Sequence, residues 1–258
     1  MIHSVIEAGD LTVHVWESAA APDRATQDAA LVTTRNGAVR LAAIDGCSLS
    51  RPLPSTCNMD GGVWAAATIR AALVAEDDAA AALERANACL HDPAARSARE
   101  LPQGCVVVAD IRADGVEVAR AGDCEAWARQ GRTWERLFAE EIRTPAALER
   151  FRVWVDAHPE ATADTRYDAE VRLWATPAAW LTAALGRFPR IMTETVALAR
   201  FDELVLASDG ARLALERLSD LDGWLGDLRA WEREHVHPRA GAKVHDDLTV
   251  LRARRRSS

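Results

Sequence analysis

Short apolar runs bounded by turn residues dominate the first fifty positions. Leu11-Thr-Val-His-Val-Trp16 alternates apolar and polar side chains with a period of two, which predicts a half-buried strand. Residues 29–33 and 39–44 predict two more. Between them Asn36-Gly37 is a two-residue hairpin signal, so this pair reads as antiparallel neighbours.

Two helices are predicted next. Residues 63–75 are rich in alanine, with Trp64, Thr68, Ala71 and Ala75 along one side. Residues 79–90 follow Asp77-Asp78, a capping pair, and stop near Asp92-Pro93. Strand patterns resume at 105–110, 116–121 and 125–129, and with a turn at 113–115 these read as a meander. Thr144-Pro145 opens a third helix whose apolar face is Phe151, Trp154 and Val155, with a polar stretch over 158–168 after it. Residues 192–199 and 203–207 read as strands, 213–228 as a helix with a break, and 248–253 as a final strand. Hairpin-joined strands separated by helices predict an α+β fold, or a sheet sandwich flanked by helices. No dinucleotide-binding or P-loop glycine motif is present, which argues against a nucleotide-binding α/β fold.

No repeat, low-complexity segment or long linker divides the 258 residues, so one domain over 1–258 is the simplest organisation, with 252–258 as a basic C-terminal tail. The chain is 49% hydrophobic and 27% charged, the balance of a globular protein rather than a disordered one. No stretch approaches the roughly 18 apolar residues of a membrane span. The first ten residues lack the basic and apolar regions of a secretion signal, so a cytoplasmic protein with no membrane partner is expected. A net charge of −8 argues against a nucleic-acid partner, since phosphate neutralisation needs a basic surface.

Cys47, Cys57, Cys89, Cys105 and Cys124 include no C-x-x-C pair and read as reduced thiols. His235-Val-His237 would place two imidazoles on one face of an extended segment, but a polar loop is the simpler reading without a third ligand nearby.

The aspartates carry more information. Gln27-Asp28, Asp45-Gly46, Gly122-Asp123, Ser208-Asp209-Gly210 and Asp246-Asp247 each stand at the end of an apolar strand. Any one of them reads as a turn, where Asp-Gly is common. As a set they point to carboxylates converging at one edge of a packed sheet, where their repulsion must be offset. A hard divalent cation with oxygen ligands, Mg²⁺ or Mn²⁺, is the usual remedy. Two such ions roughly 3.5–4 Å apart can acidify a shared water for in-line attack on a phosphoryl group.

The order of these motifs, with Arg24 ahead of them, resembles the metal-dependent serine/threonine protein phosphatases of type 2C, in their bacterial form, from about residue 24 to 250. Thr182-Ala-Ala-Leu-Gly186 and the approach Phe201-Asp-Glu-Leu-Val205 fit the same pattern. The resemblance implies two packed antiparallel β-sheets flanked by pairs of α-helices, with a binuclear centre at one end. It implies that Asp45 bridges two Mn²⁺ or Mg²⁺ ions and that the Gly46 carbonyl binds one of them. By the same likeness Asp209 and Asp246 hold the other ion, and Asp28 supports the first. Asp123 would serve a weak third metal, and Arg24 would grip the substrate phosphate in a bidentate fork. Asp45, Asp209 and Asp246 would thus be catalytic through the water they help activate.

Departures from the pattern are specific. Arg24 stands four residues before Asp28, one fewer than in the family, which leaves Arg35 and Arg40 as alternatives. Gln27 takes the place of a glutamate. Cys47 follows Asp45-Gly46 where some relatives carry a histidine acid, so leaving-group protonation falls to water at the metals. Leu213 replaces an acid of the third metal site, and Cys124 replaces a serine as a small packing residue. The 134–174 segment, the flap of the family, matches least, and its tryptophans read mainly as core, with partner docking as the alternative.

The implied activity is hydrolysis of phosphoserine and phosphothreonine in proteins, opposing a separate Ser/Thr kinase in signalling. Two other readings are a catalytically weak phosphatase-like binding module and a phosphatase of small phosphate esters.

Overall fold

Two antiparallel sheets stack face to face in the computed structural model, which describes residues 1–19, 25–47, 60–91, 102–215, 217–235 and 247–256. The strands are β1 (Ile2–Ala8), β2 (Leu11–Ser18), β3 (Asp28–Arg35), β4 (Ala38–Cys47), β5 (Gln103–Arg112), β6 (Gly115–Ala121), β7 (Glu125–Gln130), β8 (Thr133–Arg136), β9 (Glu194–Leu198), β10 (Glu203–Ala207) and β11 (Leu248–Arg255). The helices are α1 (Gly61–Ala75), α2 (Ala79–Leu90), α3 (Pro145–Ala157), α4 (Ala163–Leu173), α5 (Arg212–Leu215) and α6 (Leu221–His235). One sheet runs β1-β2-β11-β10-β7-β8 and the other β3-β4-β5-β6-β9.

Central strands are apolar on both faces because both faces are covered. Leu41 and Ala43 of β4 and Val107 and Ala109 of β5 meet Val13, Leu204, Leu206 and Leu251 of the other sheet. The intervening Ala42, Ile44, Val106 and Val108 face α1 and α2. On the far side Val205, Ala207 and Val250 pack under Leu215, Leu221, Leu225 and Leu228 of α5 and α6. The expected sandwich with flanking helix pairs is what the chain forms.

Helix α1 lies close on its sheet because its buried stripe is small: Gly62, Ala65, Ala66, Ile69 and Leu73. That stripe sits one position on from Trp64, Thr68, Ala71 and Ala75, and Ala71 and Ala75 are exposed. The Asn36-Gly37 hairpin forms as read, with both residues at positive φ and Arg35 paired with Ala38.

Four expectations are corrected. The 105–129 meander is split, since β6 pairs with β5 and β9 whereas β7 pairs with β8 and β10 in the other sheet. Gly122, at φ +84, turns the chain between the sheets, and a Cβ there would meet Cys105 Sγ at 2.3 Å. The polar stretch after α3 becomes helix α4, with Thr162 Oγ1 accepting from Thr165 N as an N-cap. The basic run is not a solvated tail. Through Arg255 it belongs to β11, and Arg252 is 5% exposed. There Arg252 donates to Glu203 at 2.6 Å and to Asp222 at 2.8 Å, so its charge is paired where its stem is buried. Finally, His235 ends α6 and is not on an extended segment, and His237 lies outside the described residues.

Candidate metal centre

The strand ends that carry the acidic motifs meet at one end of the sandwich. Asp28 opens β3 and pairs directly with Asp45 near the end of β4, and Asp45 in turn pairs with Cys105 on β5. Gly46 N donates to Gln27 O at 3.0 Å. Gln27 N donates to Asp247 Oδ2 at 2.6 Å, tying the head of β3 to the head of β11. Gln27 Nε2 reaches Asp60 Oδ1 at 2.7 Å, and the same oxygen accepts from Gly62 N at 2.9 Å as the N-cap of α1. Ser208 N donates to Thr249 O, and Thr249 N returns a bond to Ser208 Oγ, both at 2.9 Å. Asp209 opens the tight turn Asp209–Ala211 just beyond β10.

Gly46 cannot carry a side chain here. An added Cβ would lie 2.0 Å from Gly62 O and 2.6 Å from Gln27 O. Glycine lets the end of β4 press against the start of α1.

Electrostatics at this end are dominated by burial and like charge. Burial, and after it the carboxylates of Asp247 and Asp209, push Asp28 up to about 7 against a hydrogen bond from Ser208. Burial also pushes Asp45 well above the usual carboxylate range, helped by Cys47, Asp28, Asp209 and Asp123. Asp28 is 5% exposed, and its Oδ2 is buried with no hydrogen-bond partner. A buried carboxylate oxygen without a donor among mutually repelling carboxylates is what a hard divalent cation satisfies. The donor set therefore fits Mg²⁺ or Mn²⁺.

The structure brings Asp28, Asp45, Asp123 and Asp209 into one electrostatic cluster, and Gly46 follows Asp45 on β4. Arg24 and Asp246 lie outside the described residues. The two alternative arginines are elsewhere. Arg40 is 5% exposed and holds Asp110 through Nε at 2.6 Å and Nη2 at 2.8 Å. Its other bonds go to the carbonyls of Leu73, Glu76 and Asp77 at the end of α1. Arg35 caps the same helix end through Val74 O and Ala75 O, at the opposite end of β3 from Asp28.

Residues to which the motifs assigned no ligand role support the cluster. Asp60 and Gln27 lock α1 to β3. Asp247, beside the motif aspartate, is itself buried. Thr182, fully buried, accepts from Gly122 N at 3.1 Å while lying 3.0 Å from Met192 O, which pins the turn ahead of Asp123. Two thiols also border the site, with Cys47 Sγ and Cys105 Sγ 3.8 Å apart.

The segment bearing α3 and α4 has its own small core of Ile142, Ala147, Phe151, Trp174, Trp180 and Phe188. Trp180 Nε1 donates to Trp174 O at 2.8 Å, and Arg143 lies over the Trp174 ring at 4.3 Å. None of the nine tryptophans is fully exposed, which favours their core reading over docking.

No family profile matches the sequence, and no curated protein matches it. Solved structures match over nearly the whole chain. RsbX in complex with magnesium is 11% identical, with 98% of this chain and 99% of that one covered at a TM-score of 0.60. The serine/threonine phosphatase Stp1 from Staphylococcus aureus is 16% identical over 95% of each chain, with a TM-score of 0.61. The Mycobacterium tuberculosis serine/threonine phosphatase PstP is 15% identical over 96% of this chain and 99% of its own, with a TM-score of 0.57. The chain thus shares the fold of these bacterial phosphatases.

Proposed function

We propose that this chain is a type 2C, divalent-metal-dependent phosphatase that hydrolyses phosphoserine and phosphothreonine in proteins. The observation that carries the reading is the partnerless buried oxygen of Asp28, directly across the ladder from Asp45 at the end of a sandwich shared with Ser/Thr phosphatases. Asp28, Asp45, the Gly46 carbonyl, Asp209 and Asp246 are the residues that would hold two Mn²⁺ or Mg²⁺ ions, with Asp123 serving a weaker third. When bound, those ions would supply an acidified water for direct attack on phosphorus and positive charge to offset the phosphoryl oxygens.

The chain's own residues orient that centre. Ser208, whose hydroxyl accepts from Thr249 N at 2.9 Å, sits beside Asp28 and favours its ionised form. Gln27, held by Asp60 and Asp247, sets the head of β3. Arg24 binds the phosphate, a role that Arg40 cannot take because Asp110 and the α1 carbonyls saturate it. The substrates are phosphorylated proteins, and the opposing partner is a Ser/Thr kinase in the cytoplasm. Among the described residues no helix is long and apolar enough to cross a membrane.

The test is phosphate release from a phosphothreonine peptide in EDTA, Mg²⁺ or Mn²⁺, with wild type and Asp209→Ala. Turnover that needs the metal and collapses in the variant supports the reading. Folded protein that binds Mn²⁺ yet turns over nothing would make this a binding module. Turnover of small esters but not of peptides would reassign the substrate.

A further inference from the structure

Sulfur has no place in a centre built for Mg²⁺ or Mn²⁺, because hard cations take oxygen ligands. Yet Asp45 and Cys47 share a face of β4, and Cys105 stands directly opposite Asp45 on β5. One carboxylate oxygen each from Asp45 and Asp123 and the Cys105 sulfur all lie within 4.8 Å of one another. Cys47 adds a second sulfur beside Cys105, 3.8 Å from it.

We propose that Cys47, Cys105, Asp45 and Asp123 form a second kind of metal site, a tetrahedral one for a thiophilic divalent cation of the zinc class. Tetrahedral coordination with metal–sulfur bonds of about 2.3 Å places two sulfurs about 3.8 Å apart, so the thiols already stand at the required separation. The oxygen donors and Cys47 must draw in by about 1 Å or more to reach bonding distance of a common centre. Asp123 can supply that movement, since it is exposed on the turn after Gly122. Binding sends both thiol protons to solvent and leaves thiolates on the metal. Asp45 belongs to this site and to the oxygen centre at once, so zinc and Mn²⁺ compete for the protein. The site itself stands on the placement of the four donors and does not need the phosphatase reading.

Cobalt(II) is the probe for the full-length, reduced protein. A thiolate-to-cobalt charge-transfer band should appear, be displaced by Zn²⁺, and disappear in Cys105→Ser, with Cys47→Ser weakening it. A second measurement needs no variant. Zn²⁺ at tenfold over its Kd should slow alkylation of Cys47 about tenfold, Mg²⁺ should not, and the exposed Cys89 serves as the unprotected control. A cobalt spectrum without the charge-transfer band, or Cys47 alkylated at the same rate with zinc, overturns the proposal. Manganese-supported turnover in such a protein leaves the phosphatase reading intact. The band without any turnover keeps this site and removes that reading.

Discussion

Asp28 and Asp45 face each other directly across the β3–β4 ladder, the first residue of one strand against the eighth of the next. Like charges in that position destabilise a sheet. Here burial sharpens the conflict, and one oxygen of the pair lacks any donor. The pair is least costly when protonated or when a cation sits against it.

Asp28→Asn removes the charge and keeps the shape. The metal-free variant should be more stable than wild type at pH 7.5 by about 1–3 kcal/mol, because the ionised form no longer has to be accommodated. Its Mn²⁺ affinity should fall at least about tenfold, the scale of a lost supporting contact at a metal. Melts in EDTA and calorimetric Mn²⁺ titration check both. Unchanged affinity would remove Asp28 from the centre.

The same group fixes a pH dependence. In the fold Asp28 titrates near 7, against an ordinary value of 3.8. Between those values the folded chain keeps a proton that the unfolded chain has released, so stability falls as pH rises through the window and levels off above 7. For this group alone the loss is on the order of 4 kcal/mol. Denaturant titrations in EDTA from pH 5 to pH 8 should show the decline, and saturating Mn²⁺ should flatten it. A flat profile in EDTA would contradict the assignment.

Gly46→Ala tests the close approach of β4 to α1. Its Cβ would lie 2.0 Å from the Gly62 carbonyl oxygen, a backbone atom that cannot rotate away. A loss of at least about 3 kcal/mol is expected, beyond ordinary overpacking because main chain must move. Circular-dichroism melts report it. Gly37→Ala is the contrast, since it meets no atom within 4 Å and strains only its own positive φ.

Arg40 predicts stability without catalysis. Its guanidinium joins Asp110 to three carbonyls at the end of α1, and lysine cannot reproduce that fork. Arg40→Ala leaves buried Asp110 with only the more distant Arg112, at 3.6 Å, and should cost about 3 kcal/mol. At temperatures where the variant stays folded, kcat should be unchanged. A kcat loss with an unaltered melt would mean that Arg40 acts on substrate.

Strands whose covered faces show as apolar runs were legible in the sequence, as β4, β5, β10 and β11 illustrate. Edge strand β1 was not, because Ile2 to Glu7 are all exposed and only its backbone pairing with β2 makes it a strand. Helix α4 was hidden by its polar composition, and its N-cap is its clearest local signal. The split between β6 and β7 hinged on one positive-φ glycine, whereas 105–129 reads locally as three consecutive strands. Five acidic motifs were readable as a set, and the fold places Asp28, Asp45, Asp123, Asp209 and Asp247 near one another. What spacing along the chain could not convey was the supporting layer: Asp60 reaching Gln27, Asp247 reaching Gln27 from 220 residues away, and the two sulfurs across β4 and β5.

Strand β11 lies between β2 and β10, and Asp247 at its head binds the start of β3. In synthesis β2 leaves the ribosome long before the strand that will join it to β10, and β10 itself also precedes that strand. Until it arrives they present open edges that invite pairing with other chains. The acidic cluster is therefore complete only once β11 has joined the sheet, and a chain stalled before that strand presents open edges of the kind chaperones cover.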